Sequence, residues 1–473
     1  MRELTNAVAF VAIAVLLLGV ACRPSPSLSL DAEPGSGSAM GSSVGPRQPS
    51  ARIAFVRDGD LYVLNTMSGA ETRLTSDGNS TAPRWTTDGQ QLLFERDSGD
   101  QRHTWRWQPG AALAQVQDGV WSVDGKQVAF SDPPTGMSSP STVWVEANGR
   151  RTRVSPPEPE AAWTPLAWSP DGARLALSRV HLVTSPVATY AGLYPADGAL
   201  WLVDPTGGQR RQILLPVEWD NAVQDKGWPD AVRWAPSGQS LVVWVGPPAP
   251  CVSCRADGAP IMGVRVRDGS TARLGSSLGP GSLAWMPNDE AVAVEPSGRE
   301  TYRDKHLVRL DPATGRRGAL TDDPQFADVE PAVSPDGRQI VFARGRAQQQ
   351  PAPISTPLPG VTSSPLPGNA PLDLIGSRRL WHIAADGSQP HQLTDAEWTD
   401  ESPVWTADGQ WIIFVRWRAP AGGQASAELW AIRPDGSDAQ RVVAGIQLPR
   451  DFHDGFGFYG ALGWQQLFAV GPP

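Results

Sequence analysis

The chain has 473 residues, with 40 Lys and Arg against 49 Asp and Glu. The resulting net charge of -9 and pI near 5.3 give no electrostatic basis for binding nucleic acid. With 48 Gly, 46 Pro and almost no run of helical periodicity, the composition excludes a helical bundle and points to an all-β chain of short strands and turns.

The first segment reads as targeting. Arg2 precedes an apolar run over residues 7–18, too short for a spanning helix of about 20 residues. The run ends in Leu18, Gly19, Val20, Ala21 and Cys22, which resembles a bacterial lipoprotein processing site. That resemblance implies residues 1–22 as signal peptide and a lipid on Cys22. The protein would then be held to a membrane outside the cytoplasm, in the periplasm or at the cell surface. Ordinary signal-peptidase cleavage nearby is the alternative. Residues 23–50, rich in Pro, Ser and Gly, read as a disordered tether. Within it Gly41, Ser43 and Gly45 fit the hydrolase nucleophile pattern, but no strand precedes them and no helix follows, so the match is chance.

From residue 51 the chain repeats a unit of strand a, turn, strand b, loop, strand c, tight turn, strand d. The best-formed turn follows Trp168. Pro170 presets φ for its first corner, Asp171 can bond its own backbone, and Gly172 takes the left-handed position from which strand b starts. Strand a ends at Trp85, Trp121, Trp168, Trp234, Trp285, Val333, Trp405 and Trp464. A second series marks strand c, at Tyr62, Trp105, Trp144, Trp201, Val264, Val308, Trp381 and Trp430. A third follows as strand d, from Arg73 through Arg153 to Arg441. The first two series each count eight.

A four-stranded unit cannot bury both faces alone, so the units must stack, and stacking them in a ring removes the exposed edges. A β-propeller of eight four-stranded blades is therefore expected over residues 51–473, with seven as the fallback because the spacing is uneven. The chain starts on strand b of the first blade, so a C-terminal strand a ending at Trp464 is expected to close the ring. Residues 465–470 then look like a surplus strand b, either displacing Ile53 to Val56 or lying outside the sheet.

Ala167 to Gly172, Glu330 to Gly337 and Ser402 to Gly409 resemble the WD-repeat-like propeller repeats of TolB and related extracytoplasmic proteins. The resemblance covers nearly all of residues 51–473 and implies the fold. It does not name a function, since one scaffold hosts many. TolB has six such blades and a separate N-terminal α/β domain, for which residues 23–50 leave no room. Its translocation role is therefore not carried over.

Departures from the repeat are the next candidates. A disordered insertion is expected near 346–378, inside the b–c connection of the seventh blade, and an ordered surface loop over 180–199 with Tyr190 and Tyr194. Cys251 and Cys254 lie in another b–c insertion. With Cys22 taken by lipid they form an even pair, read as a local disulfide rather than a redox or zinc motif. His103, His181, His306, His382 and His391 show no metal-ligand spacing.

Connections into strand a should ring the channel mouth. They carry Asp230, Asp328, Glu330, Asp400, Glu401, His453 and Asp454, candidates for holding a cation, a sugar or a basic partner segment. Solvated acids at strand ends are the plain alternative. The expectation is a non-catalytic, monomeric envelope lipoprotein that binds a protein, peptide or glycan through this mouth and exposed Trp and Tyr. It needs no cofactor, although the acids leave room for a divalent cation. The alternative is a hydrolase or lyase acting on polysaccharide with the same carboxylates, and such cleavage needs two of them at a defined separation. A propeller peptidase is disfavoured because no hydrolase domain follows before Pro473.

Overall fold

A computed structural model of the chain describes residues 48–99, 101–134, 139–184, 193–213, 227–246, 258–295, 300–348, 372–395, 397–418, 426–449, 460 and 462–473. Met1–Val44 separates from one compact unit, Gly45–Pro473. Cys22, Cys251, Cys254, Tyr190, His453 and Asp454 lie outside the described residues.

That unit contains eight four-stranded antiparallel sheets, arranged as the blades of a propeller. The strand-a segments are Phe468–Gly471, Ser80–Trp85, Val120–Trp121, Ala161–Trp168, Trp228–Trp234, Leu283–Trp285, Phe326–Val333 and Thr399–Trp405, for blades 1 to 8. Each continues outward into strands b, c and d in the order read from the sequence, except that blade 1 takes its strand a from the C-terminus.

The turns after strand a form as their chemistry dictates. The Ser169 hydroxyl donates to Asp171 Oδ1 at 2.6 Å, the Ala173 N–H donates to the same oxygen at 3.0 Å, and Gly172 stands at φ 67. Asp88, Asp124, Asp336 and Asp408 accept the same pair of bonds in their own blades. These acids serve the fold.

The repeated Trp is a stitch between blades. Trp85 Nε1 donates to the Ala469 carbonyl at 3.3 Å, Trp168 to Val120 at 2.8 Å, Trp234 to Ala167 at 3.2 Å and Trp405 to Ala332 at 3.1 Å. In each case the acceptor belongs to strand a of the preceding blade. Side chains of facing sheets fill the layers between blades, as where Leu241 and Val243 of blade 5 meet Ala176 and Leu202 of blade 4. Burying each such side chain contributes about 1.5–3 kcal/mol. The core is thus a ring of interblade layers.

The closure differs from the sequence expectation. Trp464 does not end a strand; it lies in a short 3-10 turn, Trp464–Gln466, with its ring buried. The closing strand is Phe468–Gly471, paired antiparallel with Arg52 to Phe55, so Arg52–Arg57 keeps its place as strand b. The tail that looked surplus is the strand a itself. Gly471 permits it, since a Cβ there would lie 2.6 Å from the Trp85 ring.

Two insertions also differ. The region read as a surface loop over 180–199 is an extended b–c hairpin, Leu175–Thr184 against Leu193–Val203. In the seventh blade, ordered chain resumes inside the segment read as disordered, with a helical turn at Leu372–Ile375 and a buried Arg378.

Candidate functional site

Strand a of blade 7, Phe326–Val333, and strand a of blade 8, Thr399–Trp405, carry the same sequence device. Glu330 precedes Pro331, Ser402 precedes Pro403, and each strand breaks register there, between Val329 and Ala332 and between Glu401 and Val404. Glu330 stands at φ 54 and Ser402 at φ 51, left-handed positions that L residues occupy at a cost. Such a bulge re-aims a side chain out of the regular alternation. Ala82 before Pro83 does the same in blade 2, at φ 51, so the device belongs to the repeat while its side chain is free to vary.

In blade 6 strand a is three residues long and is preceded by the short turn Pro280–Ser282. A cavity of about 450 Å³ lies beside that turn, walled by strands a of blades 7 and 8, Arg378, and the C-terminal run through Leu462, Gln465, Phe468 and Ala469. Its lining is mainly apolar, with Ser282, Thr301, Glu330, Arg378, Ser402 and Gln465 as the polar residues among those described.

Two acids next to each other in space have opposite fates. Glu401 is fully buried and both its oxygens are used. Oε1 accepts from Arg378 Nη1 at 2.5 Å, while Oε2 accepts from Trp417 Nε1 at 2.8 Å and Trp464 Nε1 at 2.9 Å. Arg378 completes its shell on the Gly460 carbonyl at 2.9 Å and Thr301 Oγ1 at 2.7 Å. Glu330 has no cation within ion-pair distance among the described residues. It accepts only from Ser402, from the N–H at 2.7 Å and the hydroxyl at 3.2 Å. Burial, with the Glu401 charge as the second cause, pushes the Glu330 carboxyl up to about 7, against the opposing pull of Arg378 and the Ser402 bonds.

The other acids singled out from sequence lie on the inner strands, where they are less available than loop acids would be. Asp328 is buried in a two-bond ion pair with Arg344, at 2.6 and 2.8 Å, and Asp400 repeats this with Arg416 at 2.7 and 2.8 Å. Each pair spans directly opposed positions of strands a and b. Arg344 lies 4.9 Å from the Trp381 ring centroid and Arg416 4.5 Å from that of Trp430. Asp230 sits at a register shift in strand a of blade 5, between Pro229 and Ala231, and does not line this cavity. Of the described candidates, Glu330 alone lines this cavity.

Exposed Trp is also overturned: no described Trp has an exposed side chain, because the rings stitch and fill the blades. Arg378, Ser402, Thr301 and Gln465 were missed. The X-Pro step two residues before the strand-a end was a usable signal for Ser402. Arg378 lay in a segment read as disordered, and nothing local marks Thr301 or Gln465. His382 and His391 pack side by side with ring centroids 4.5 Å apart, and burial lowers His382 to about 4. Among the described residues no group of three His, Cys, Asp or Glu is placed to hold a metal.

No protein-family model matches the chain, and no curated protein matches it. Solved structures do. The chain is similar to dipeptidyl peptidase 4 from Porphyromonas gingivalis, at 12% identity and TM-score 0.51, over 84% of this chain and 59% of that one. The fold is an eight-bladed β-propeller, and TolB structures are among those it resembles. TolB from Acinetobacter baumannii matches at 14% identity and TM-score 0.31, over 75% of this chain and 66% of that one. An oligogalacturonate lyase in complex with manganese matches at 15% identity and TM-score 0.37, over 61% and 84%. The chain spans about three fifths of the peptidase's length. At these identities the likeness speaks to fold alone.

Proposed function

We propose that this chain is a non-catalytic extracytoplasmic propeller, anchored at the membrane through Cys22, that holds a protein, peptide or glycan ligand of the cell envelope in its channel cavity. The observation that carries the reading is the cavity itself: mainly apolar walls with a few convergent polar groups, the usual make-up of a ligand site. Among the described residues no helix is long and apolar enough to cross a membrane. Binding is favoured over cleavage because glycoside chemistry needs two working carboxylates. Among the described residues Glu330 is the one carboxylate lining the cavity, and both oxygens of Glu401 are committed to Arg378, Trp417 and Trp464.

The test is capture of partners from envelope extract by the full chain and by Val404→Trp, which fills the cavity from its wall. Loss of captured material in a variant with an unchanged melting transition supports the reading. Equal capture overturns the cavity as the binding site, and turnover in a glycan-cleavage screen overturns its non-catalytic character.

A further inference from the structure

The charges around the cavity do not balance, and the imbalance narrows the occupant. Arg378 has its charge compensated by Glu401 and donates four bonds in all, to Glu401, the Gly460 carbonyl and the Thr301 carbonyl and hydroxyl. Glu330 receives two hydrogen bonds, both from Ser402, out of roughly four that a carboxylate can accept. Gln465, exposed at the wall, has no hydrogen-bond partner among the described residues and offers a second oxygen. A neutral ligand would leave the ionised form of Glu330 desolvated with no opposite charge beside it, which is costly. A divalent cation would call for six or more oxygen ligands or several convergent carboxylates, and the described lining of the cavity holds one acid.

A monovalent organic cation meets each condition. We propose that the cavity takes a primary ammonium group carried on a compact apolar body, the ammonium on Glu330 and the hydrocarbon against Val329, Val404 and Phe468. This rests on the cavity being the binding site. An ammonium has three donors and no acceptor. They match the open positions of Glu330, the Ser402 hydroxyl oxygen and the Gln465 oxygen, while the apolar walls pack the hydrocarbon. The raised Glu330 carboxyl fits such a site: it is held partly protonated in the empty cavity and gives up that proton when an ammonium arrives. The charged groups that act on it are Glu401, on its own neighbouring strand, and Arg378, ahead of strand c of blade 7. A small amine and the free amino terminus of an apolar peptide share this chemistry.

The experiment measures binding of hexylammonium, hexanol and hexanoate, and of leucyl-leucinamide with and without an N-acetyl group. The proteins are the full chain, Glu330→Gln and the cavity-filled Val404→Trp. Expected is binding of the ammonium probes alone, weakened about tenfold or more by Glu330→Gln and lost in Val404→Trp. Stronger binding of leucyl-leucinamide than of hexylammonium assigns the group to a peptide amino terminus, and the reverse order to a small amine; either supports the proposal. Binding of hexanol or hexanoate in preference, lost in Val404→Trp, overturns the ammonium while keeping the cavity as a site. Ammonium binding unchanged in Glu330→Gln also overturns it. Absence of binding by every probe overturns the ammonium proposal, while capture from envelope extract decides the cavity reading separately. If Glu330→Gln does not fold, the pH series on the unmodified chain decides. Hexylammonium affinity must rise from pH 6 to pH 8 as Glu330 ionises through about 7, and a flat series overturns the proposal.

Discussion

Glu330 and Ser402 hold the same place in neighbouring inner strands, and the second clamps the first: the Ser402 N–H and hydroxyl donate to the two Glu330 oxygens at 2.7 and 3.2 Å. One repeat position thus supplies a carboxylate in blade 7 and its positioning donor in blade 8. The backbone pays for this with two left-handed residues, each just before a proline.

Glu330 makes stability depend on pH. Its folded carboxyl lies at about 7, above the ordinary 4.5, because burial and Glu401 oppose its charge. The folded state therefore binds the proton more tightly, and the stability this gives is complete below about 4.5 and lost as pH rises through 7. Glu330→Gln should be more stable than the parent at pH 8, on the order of 1–2 kcal/mol after allowing for screening by cavity water, with the difference vanishing toward pH 5. Urea denaturation at both pH values measures this.

Removing Arg378 should be among the most damaging single changes. Arg378→Met leaves Glu401 buried with its charge uncompensated and the Gly460 carbonyl without its donor, at a cost of about 3–5 kcal/mol. Arg378→Met combined with Glu401→Gln should recover a large part of that loss. A double-mutant cycle in denaturant checks the coupling.

The Trp stitch predicts a contrast between two chemically identical substitutions. Trp405→Phe loses the bond to the Ala332 carbonyl and should cost about 1 kcal/mol beyond the effect of ring size. Trp285 has a buried Nε1 with no partner, so Trp285→Phe loses no bond and relieves an unsatisfied donor. The difference between their unfolding free energies carries the prediction.

Deleting residues 468–473 removes strand a of blade 1. It exposes the Arg52–Arg57 edge and takes from the Trp85 stitch its acceptor at Ala469. The truncated chain should lose its single cooperative melting transition and self-associate, as read by calorimetry and light scattering.

By itself the sequence determined the order of strands within the blades and favoured eight blades over seven, and the structure decided for eight. Turn chemistry at Ser169, Asp171 and Gly172, alternation along the strands and the recurring Trp are all local, and local signals survive without a fold. The bulge had a local signal that the sequence reading did not use, an X-Pro step at a fixed distance before the strand-a end. Tertiary structure decided what each acid does. Asp328, Glu330, Asp400 and Glu401 look alike as a list, yet three are spent on Arg344, Arg416 and Arg378, and the fourth faces a cavity. Arg344 and Arg416 reach their partners by strand pairing, but Arg378 reaches Glu401 only after a long insertion returns to the channel. The ring closure was ambiguous for the same reason. Phe468–Gly471 reads equally well as strand a or strand b, and only pairing with a strand more than 400 residues earlier, as Arg52 Nε donating to the Pro472 carbonyl across 420 positions shows, assigns it. Burial and charge compensation are properties of neighbours in space, and in a closed ring the decisive neighbours come from the far ends of the chain.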